Sequence, residues 1–507
     1  MSGAGARSLR TFIGDSAHDP AAISIVGALA LLSVGVSSGH GASVLAILLA
    51  GVTLLAVGHR WILRWDRMIA ALLIVVLFVP IGRFKLPAVL PFDLELYRIV
   101  VAVLLLLWLT ALLIDSRIRL ESTAFDRPVI LIVACTLASE VTNPGRVTQY
   151  GSHVVKSLTF FVSFVLLYYL ITTTIRRRDD LLRILKLLTV GGAAIGALAV
   201  YELRTHYNLF DHVQTVLPFL VPQFSGNYHL GIGGNIRAVG PSQHPIALGA
   251  ALILLLPLAI YFARTSGRRW WFAAALLVLG AFASGSRTAI IMLVVVGIVF
   301  LCLKPTETKR LWPALFPAVV VIHFAVPGQL GNLYGAFFPK GGLIAQQSRF
   351  QANYDPLLAG GRIRLLKPML SEASQKPLFG DGVGTRLTGF NTPDRNAPIL
   401  DDQWLGLALE VGFVGVAAWV WLFVGAVRKL VQASRTATRV GDDWLFAALA
   451  ASVASCAIGM FTFDAFDFTQ VPFMFWILLG VSAVLLGLSK TSPSLGSPAS
   501  AGGPAPL

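Results

Sequence analysis

The sequence predicts an all-α integral membrane protein, a polytopic helical bundle of about 12–14 transmembrane helices with one long extracytoplasmic loop. Three observations predict it. Of 507 residues, 56% are hydrophobic and only 13% are charged, with a mean hydropathy of +0.75. A soluble chain carries roughly a quarter charged residues. Apolar runs long enough to cross a bilayer as helices recur from residue 21 to residue 489. The loops between them alternate between rich and poor in Lys and Arg. A soluble enzyme, a DNA-binding module and a disordered scaffold are excluded. So is a transmembrane β-barrel, whose strands would alternate apolar and polar with period two.

Taken in order, residues 1–19 read as a cytoplasmic N-terminal segment. The first apolar run begins near Ala21, behind Asp15, Asp19 and Pro20, with no small-residue cleavage site, so it reads as a retained helix. Fourteen candidate spans follow: 20–38, 42–58, 68–82, 96–114, 128–141, 152–175, 181–201, 244–263, 269–284, 287–303, 311–326, 403–427, 444–463 and 469–489. Spans 68–82 and 128–141 are short enough to imply tilt or partial re-entry. Residues 20–326 thus hold eleven spans, 327–402 form the large extracytoplasmic loop, and 403–489 hold the last three. The tail 490–507, rich in Pro, Gly, Ser and Ala, reads as disordered.

Orientation follows from charge. The loops Arg60–Arg67, Arg117–Arg127, Arg176–Lys186, Arg264–Arg269, Lys304–Arg310 and Arg428–Arg439 are basic, and placing them with both termini in the cytoplasm satisfies the positive-inside rule. Topology then explains most of the net charge of +15, and no nucleic-acid partner is needed. The exception is the long loop 327–402, which carries Lys340, Arg349, Arg362, Arg364, Lys367, Lys376, Arg386 and Arg395 on the outer side. Long loops tend to carry function. Cys135, Cys302 and Cys456 lie in or beside apolar runs, so neither a disulfide framework nor a thiolate zinc site is available.

Four stretches on the expected outer face could do chemistry. They are Arg237–Gly249, the turn around Arg287, Gly360–Thr385, and Leu400–Gly415. Each has a plainer reading. Arg237 and Arg287 could snorkel to lipid phosphates. His244, before Pro245, could cap or pack, and Asp401 or Asp402 could cap the next helix. The run Pro377–Gly384 could be a Gly-rich turn with no ligand, since it lacks the ending of a P-loop. Together the arginines and carboxylates form a kit for a diphosphate: guanidinium forks match phosphate oxygens, and a carboxylate can accept a hydroxyl proton. No His or carboxylate cluster has metal-ligand spacing, so neither a metal nor another cofactor is expected.

At these residues the chain resembles the O-antigen ligase and polymerase superfamily of bacterial envelopes. Gly361-Arg362, a short apolar helix and Pro377-Leu378-Phe379-Gly380-Asp381-Gly382-Val383-Gly384 follow its long-loop pattern, and Arg362 with Leu366 fits its Arg-x-x-x-Leu signature. Ser286-Arg287 matches its Ser-Arg before a membrane helix, and Arg237–Leu255 is similar to its Arg-x-x-Gly segment. The family's His-Asn, nine residues, Gly-x-x-Gly reads here as Asp401-Asp402, residues 403–411, Gly412 and Gly415. The similarity runs from about Arg237 to Gly415, with the four stretches in order.

The resemblance implies a GT-C-like, metal-independent glycosyltransferase in the bacterial cytoplasmic membrane, with its active site on the extracytoplasmic face. A glycan on polyprenyl diphosphate would be the donor and a glycan or glycolipid hydroxyl the acceptor. A flippase and chain-length-control proteins would be its partners. Arg287 and Arg362 would hold the diphosphate, Asp401 would replace the family's imidazole base, and Asp402 would orient it or the acceptor. Arg237, His244 and Arg364 are further candidates for the donor pocket. Carboxylates in place of His-Asn favour a polymerase, or a ligase with another acceptor. The rival class is a multi-span transporter of an anionic lipid or solute. Carriers bury ionisable residues near the midplane in broken helices; spans 42–58, 244–263 and 287–303 are nearly free of charge.

Overall fold

The computed structural model describes residues 64–87, 94–223, 236–338, 362–386 and 401–491. The chain divides into two units, 1–71 and 72–507. Of the first, only the residues that open helix α1 (Trp65–Phe78) are described.

The second unit continues with β1 (Phe84–Lys85), α2 (Leu96–Ile114), α3 (Asp126–Thr142), α4 (Pro144–Gln149), α5 (Gly151–Thr174), α6 (Arg178–Thr205) and β2 (Val221–Pro222). Next come α7 (Pro245–Thr265), α8 (Trp270–Ala283), α9 (Arg287–Leu303), α10 (Pro305–Lys309), α11 (Leu315–Ala325) and α12 (Gln329–Phe337). The remainder is α13 (Arg362–Ala373), α14 (Gln403–Glu410), α15 (Gly412–Thr436), α16 (Asp442–Gly459) and α17 (Gln470–Thr491).

Helix α7 is apolar on every face and buried along nearly its whole length, with α6, α8, α9, α16 and α17 packed around it. Helices α2 and α11 instead expose Leu106, Leu113, Phe316 and Phe324, as lipid-facing surfaces do. Helices cross closely where small residues meet. A Cβ at Gly196 of α6 would lie 2.3 Å from the Leu276 carbonyl oxygen of α8, so α6 and α8 meet backbone to backbone. Buried hydroxyls bond to carbonyls, as the apolar interior requires: Thr189 donates to Leu185 at 2.8 Å and Ser452 to Leu254 at 2.8 Å.

The polytopic all-α class is what the sequence predicts. Expected spans 20–38 and 42–58 lie outside the described residues, and the other twelve all fall on helices. Among the described residues, seven helices are long and apolar enough to cross a membrane, or eight if a bent pair counts as one span. That pair, Pro305–Ala325 with Gln329–Gly335, turns by 105° just where the expected span 311–326 ends, so a helix follows where the sequence suggests only the start of the long loop.

The second difference concerns the site. The expected span 403–427 is two helices, α14 and α15, broken where Gly412 takes a φ of +70°. A side chain there would strike the Leu378 carbonyl oxygen at 2.3 Å, so the Gly-rich run sits in the break. The membrane-spanning part therefore begins at Gly412, and α14 stands ahead of it. The described parts of the stretch 202–243, residues 202–223 and 236–243, are tied down by the antiparallel β1–β2 pair and by Arg83, which bonds Asp211 at 2.9 Å and the Ser242 carbonyl at 2.6 Å.

Candidate active site

Arg237 is fixed from both sides by backbone geometry. Its neighbour Ala238 donates to the Ala283 carbonyl at 3.0 Å, and Arg237 Nε donates to the Ser284 carbonyl at 2.8 Å. The Glu202 carboxylate, buried at the end of α6, accepts from the amides of Val239 at 3.0 Å and Gly240 at 2.8 Å. Gln329 of α12 closes the arrangement by donating to the Ile236 carbonyl at 3.0 Å. These bonds press the segment onto the α8–α9 turn, which Gly285 makes with a φ of +58°.

Arg287 is the first residue of α9, and it lies close enough to Arg237 to repel it. Burial first, then the Arg287 charge, lower the Arg237 pKa to about 10, so Arg237 remains cationic at neutral pH. Among the described residues Arg237 makes no ion pair, only the bond to Ser284. A cation in the first helical turn also opposes the helix dipole. The helix dipole alone gives no reason for Arg287 at that position.

His244 is the N-cap of α7. Its Nδ1 accepts from the Ile246 amide at 3.2 Å, which places the proton on Nε2, and its ring stacks on Phe468 with centroids 5.6 Å apart. Burial and then Arg237 lower its pKa to about 4, so it is neutral at physiological pH. Of the two carboxylates at the start of α14, Asp402 does the capping, accepting from the Leu405 amide at 3.2 Å. Asp401 precedes it and is not that cap.

One loop joins these groups. Residues 460–469, between α16 and α17, hold α14 through Gln403, which donates to the Met460 carbonyl at 2.8 Å and accepts from Phe466 at 2.6 Å. The same loop reaches α9, where the Thr462 hydroxyl meets that of Thr288 at 2.9 Å. It also reaches the Arg237 segment, where Gln243 accepts from the Thr469 amide at 3.1 Å. The structure thus brings Arg237, Arg287 and His244 together and straps the Asp401 end of α14 to the loop beside them.

The loop carries two residues that sequence reasoning missed. Asp464 and Asp467 hydrogen-bond each other, and Asp464 also feels the charges of Glu410 and Asp401. Burial and then these neighbouring carboxylates push the Asp464 pKa well above the usual carboxylate range. The signal was present: two Asp three residues apart in an otherwise uncharged, Phe-rich Phe461–Phe468 run at a span end. Among the described residues no group of three His, Cys, Asp or Glu could hold a metal ion.

Arg362 and Arg364 open α13, with side chains outside the described part. The helix packs on α14 through Met369 and Ala373 against Leu405, Ala408 and Leu409. The Gly-rich run after it is not an open cradle. Asp381 and Gly382 donate to the Leu409 and Glu410 carbonyls at 2.8 and 3.1 Å. Val383 donates to the Glu140 carboxylate at 2.8 Å and Gly384 to that of Glu410 at 3.1 Å. Four successive amides are occupied, two by backbone carbonyls and two by carboxyl groups of the protein itself.

The model of the O-antigen ligase family matches residues 272–420, a range that leaves the Arg237–His244 segment outside. No curated protein matches the chain. The matched segment, which bears Arg287, Arg362, Asp401 and the Gly-rich run, is similar to the O-antigen ligase family.

Proposed function

We propose that this membrane glycan-transfer enzyme moves a glycan from a polyprenyl diphosphate to an acceptor hydroxyl on the outer face of the cytoplasmic membrane. The observation that carries the reading is the pair of guanidiniums, Arg237 held on the α8–α9 turn and Arg287 at the start of α9, near enough for the Arg287 charge to act on Arg237. An acceptor hydroxyl attacks the anomeric carbon, the bond from that carbon to the diphosphate oxygen breaks, and its electron pair leaves with the diphosphate. The arginines neutralise the charge that grows there, as preorganised donors do. Arg362 completes the clamp from α13. Asp401 accepts the hydroxyl proton, while Asp402 caps α14 and fixes its direction. Arg364 and the neutral His244 line the donor side.

Lipid-linked glycans left in cells lacking the protein test this reading. Finished polymer on the carrier indicates a ligase, and single repeat units indicate a polymerase. Unchanged lipid-linked glycans would contradict transfer and support the transporter.

The outer face is tested by topology. A cysteine at Gln346, in a chain whose exposed Cys302 is replaced by Ser, is expected to react with an impermeant thiol reagent in intact cells with any outer barrier permeabilised. Labelling only after lysis would overturn the orientation and the site with it.

A further inference from the structure

The Gly-rich run fastens three helices. It follows α13 directly, its backbone pairs with the end of α14, and Phe413, at the start of α15, donates to the Pro377 carbonyl at 2.7 Å. The third anchor is the C-terminal end of α3, far away in sequence. There Ser139 donates to the Glu410 carbonyl at 2.5 Å, and the Asn143 side chain donates to the Gly380 carbonyl at 2.9 Å and accepts from Lys376 at 2.6 Å. Asp381 pairs with Lys376 at 2.9 Å and Arg146 at 3.4 Å. Glycine is required in the run. Gly380, Gly382 and Gly384 have φ of +66°, +103° and +73°, and a Cβ on Gly380 would lie 2.5 Å from the Leu409 carbonyl oxygen.

Two carboxylates from different helices complete the fastening, Glu140 from α3 and Glu410 from α14, each on one amide. We propose that Glu140 and Glu410 are positioning residues for transfer, holding the Gly-rich run as a latch that fixes α13, with Arg362 at its start, against α14, with Asp401 just before it. This assignment rests on the reading of Arg362 and Asp401 given above. What the amides need is an acceptor oxygen, not a charge. Glutamine supplies that oxygen at the same reach, whereas alanine leaves Val383 or Gly384 without a partner.

Hydrogen–deuterium exchange of the 377–386 region in the purified full chain reads the latch directly, beside transfer kinetics with a polyprenyl-diphosphate glycan. Glu140→Ala and Glu410→Ala are expected to speed exchange at Val383 and Gly384 about tenfold, as leaving one buried amide without its acceptor allows. The same variants should lower kcat more than they raise the KM for donor, because Arg237 and Arg287 still hold the diphosphate. Glu140→Gln and Glu410→Gln should restore both slow exchange and turnover, an outcome that also excludes misfolding. Unchanged exchange in both alanine variants overturns the latch, whatever the protein transfers. Faster exchange with unchanged kcat overturns the positioning role. A parent chain that transfers nothing contradicts the glycan-transfer reading and the positioning role with it.

Discussion

Replacing Asp401 with Asn is expected to lower turnover by about 10²–10⁴-fold, the usual loss when general-base assistance is removed, with insertion and folding intact. The substitution is nearly isosteric and removes only the ability to take a proton. The structure answers the plainer reading in which Asp401 caps a helix. The cap of α14 is Asp402, which accepts from the Leu405 amide, so Asp401→Asn leaves the helix start unchanged. Asp402→Asn is the matching control, because Asn is an equally good cap. Asp401→His, which restores the family's residue, is expected to retain part of the activity. Near-normal turnover in Asp401→Asn would move the base elsewhere, with Asp467, hydrogen-bonded to Asp464, next to be examined.

Arg287→Lys is expected to reduce turnover about ten- to hundredfold, which corresponds to losing one charge-assisted hydrogen bond. Lysine keeps the positive charge and loses the planar fork. If Arg287 only snorkels to lipid phosphates, any cation suffices there and the change should be silent. Arg362→Lys should show the same fall, because both arginines are assigned to the diphosphate. Arg268→Lys, at an exposed position between α7 and α8, should change nothing and serves as the control. Equal activity of the parent and Arg287→Lys in a purified transfer assay would reduce this residue to a surface charge.

The helices were legible because a lipid-crossing segment needs a long apolar run, and twelve such runs fall on described helices. The break at Gly412 was not. Residues 403–427 read as one apolar stretch, and what interrupts them is the Leu378 carbonyl, contributed by another element. The candidate site was legible in part. Arg237 and Arg287 stand out as cations at span ends and do lie together, but their supports, Glu202 and Gln329, come from elements with no motif to announce them. The Gly-rich run was visible as a motif, yet its role depends on Glu140, which sits in a helix more than two hundred positions earlier. Local patterns name the residues that chemistry needs. The contacts that aim them are tertiary and leave no local trace.

The central claim is transfer from a lipid diphosphate without a metal, and one measurement addresses it most directly. Purified protein is mixed with a defined polyprenyl-diphosphate glycan and an acceptor glycan, with and without EDTA, and the released polyprenyl diphosphate and elongated acceptor are quantified together. The account predicts both products in equal amounts, unaffected by the chelator, because guanidinium groups neutralise the leaving diphosphate. Transfer that stops with EDTA, or donor that stays intact while an anionic lipid crosses the membrane, would contradict it.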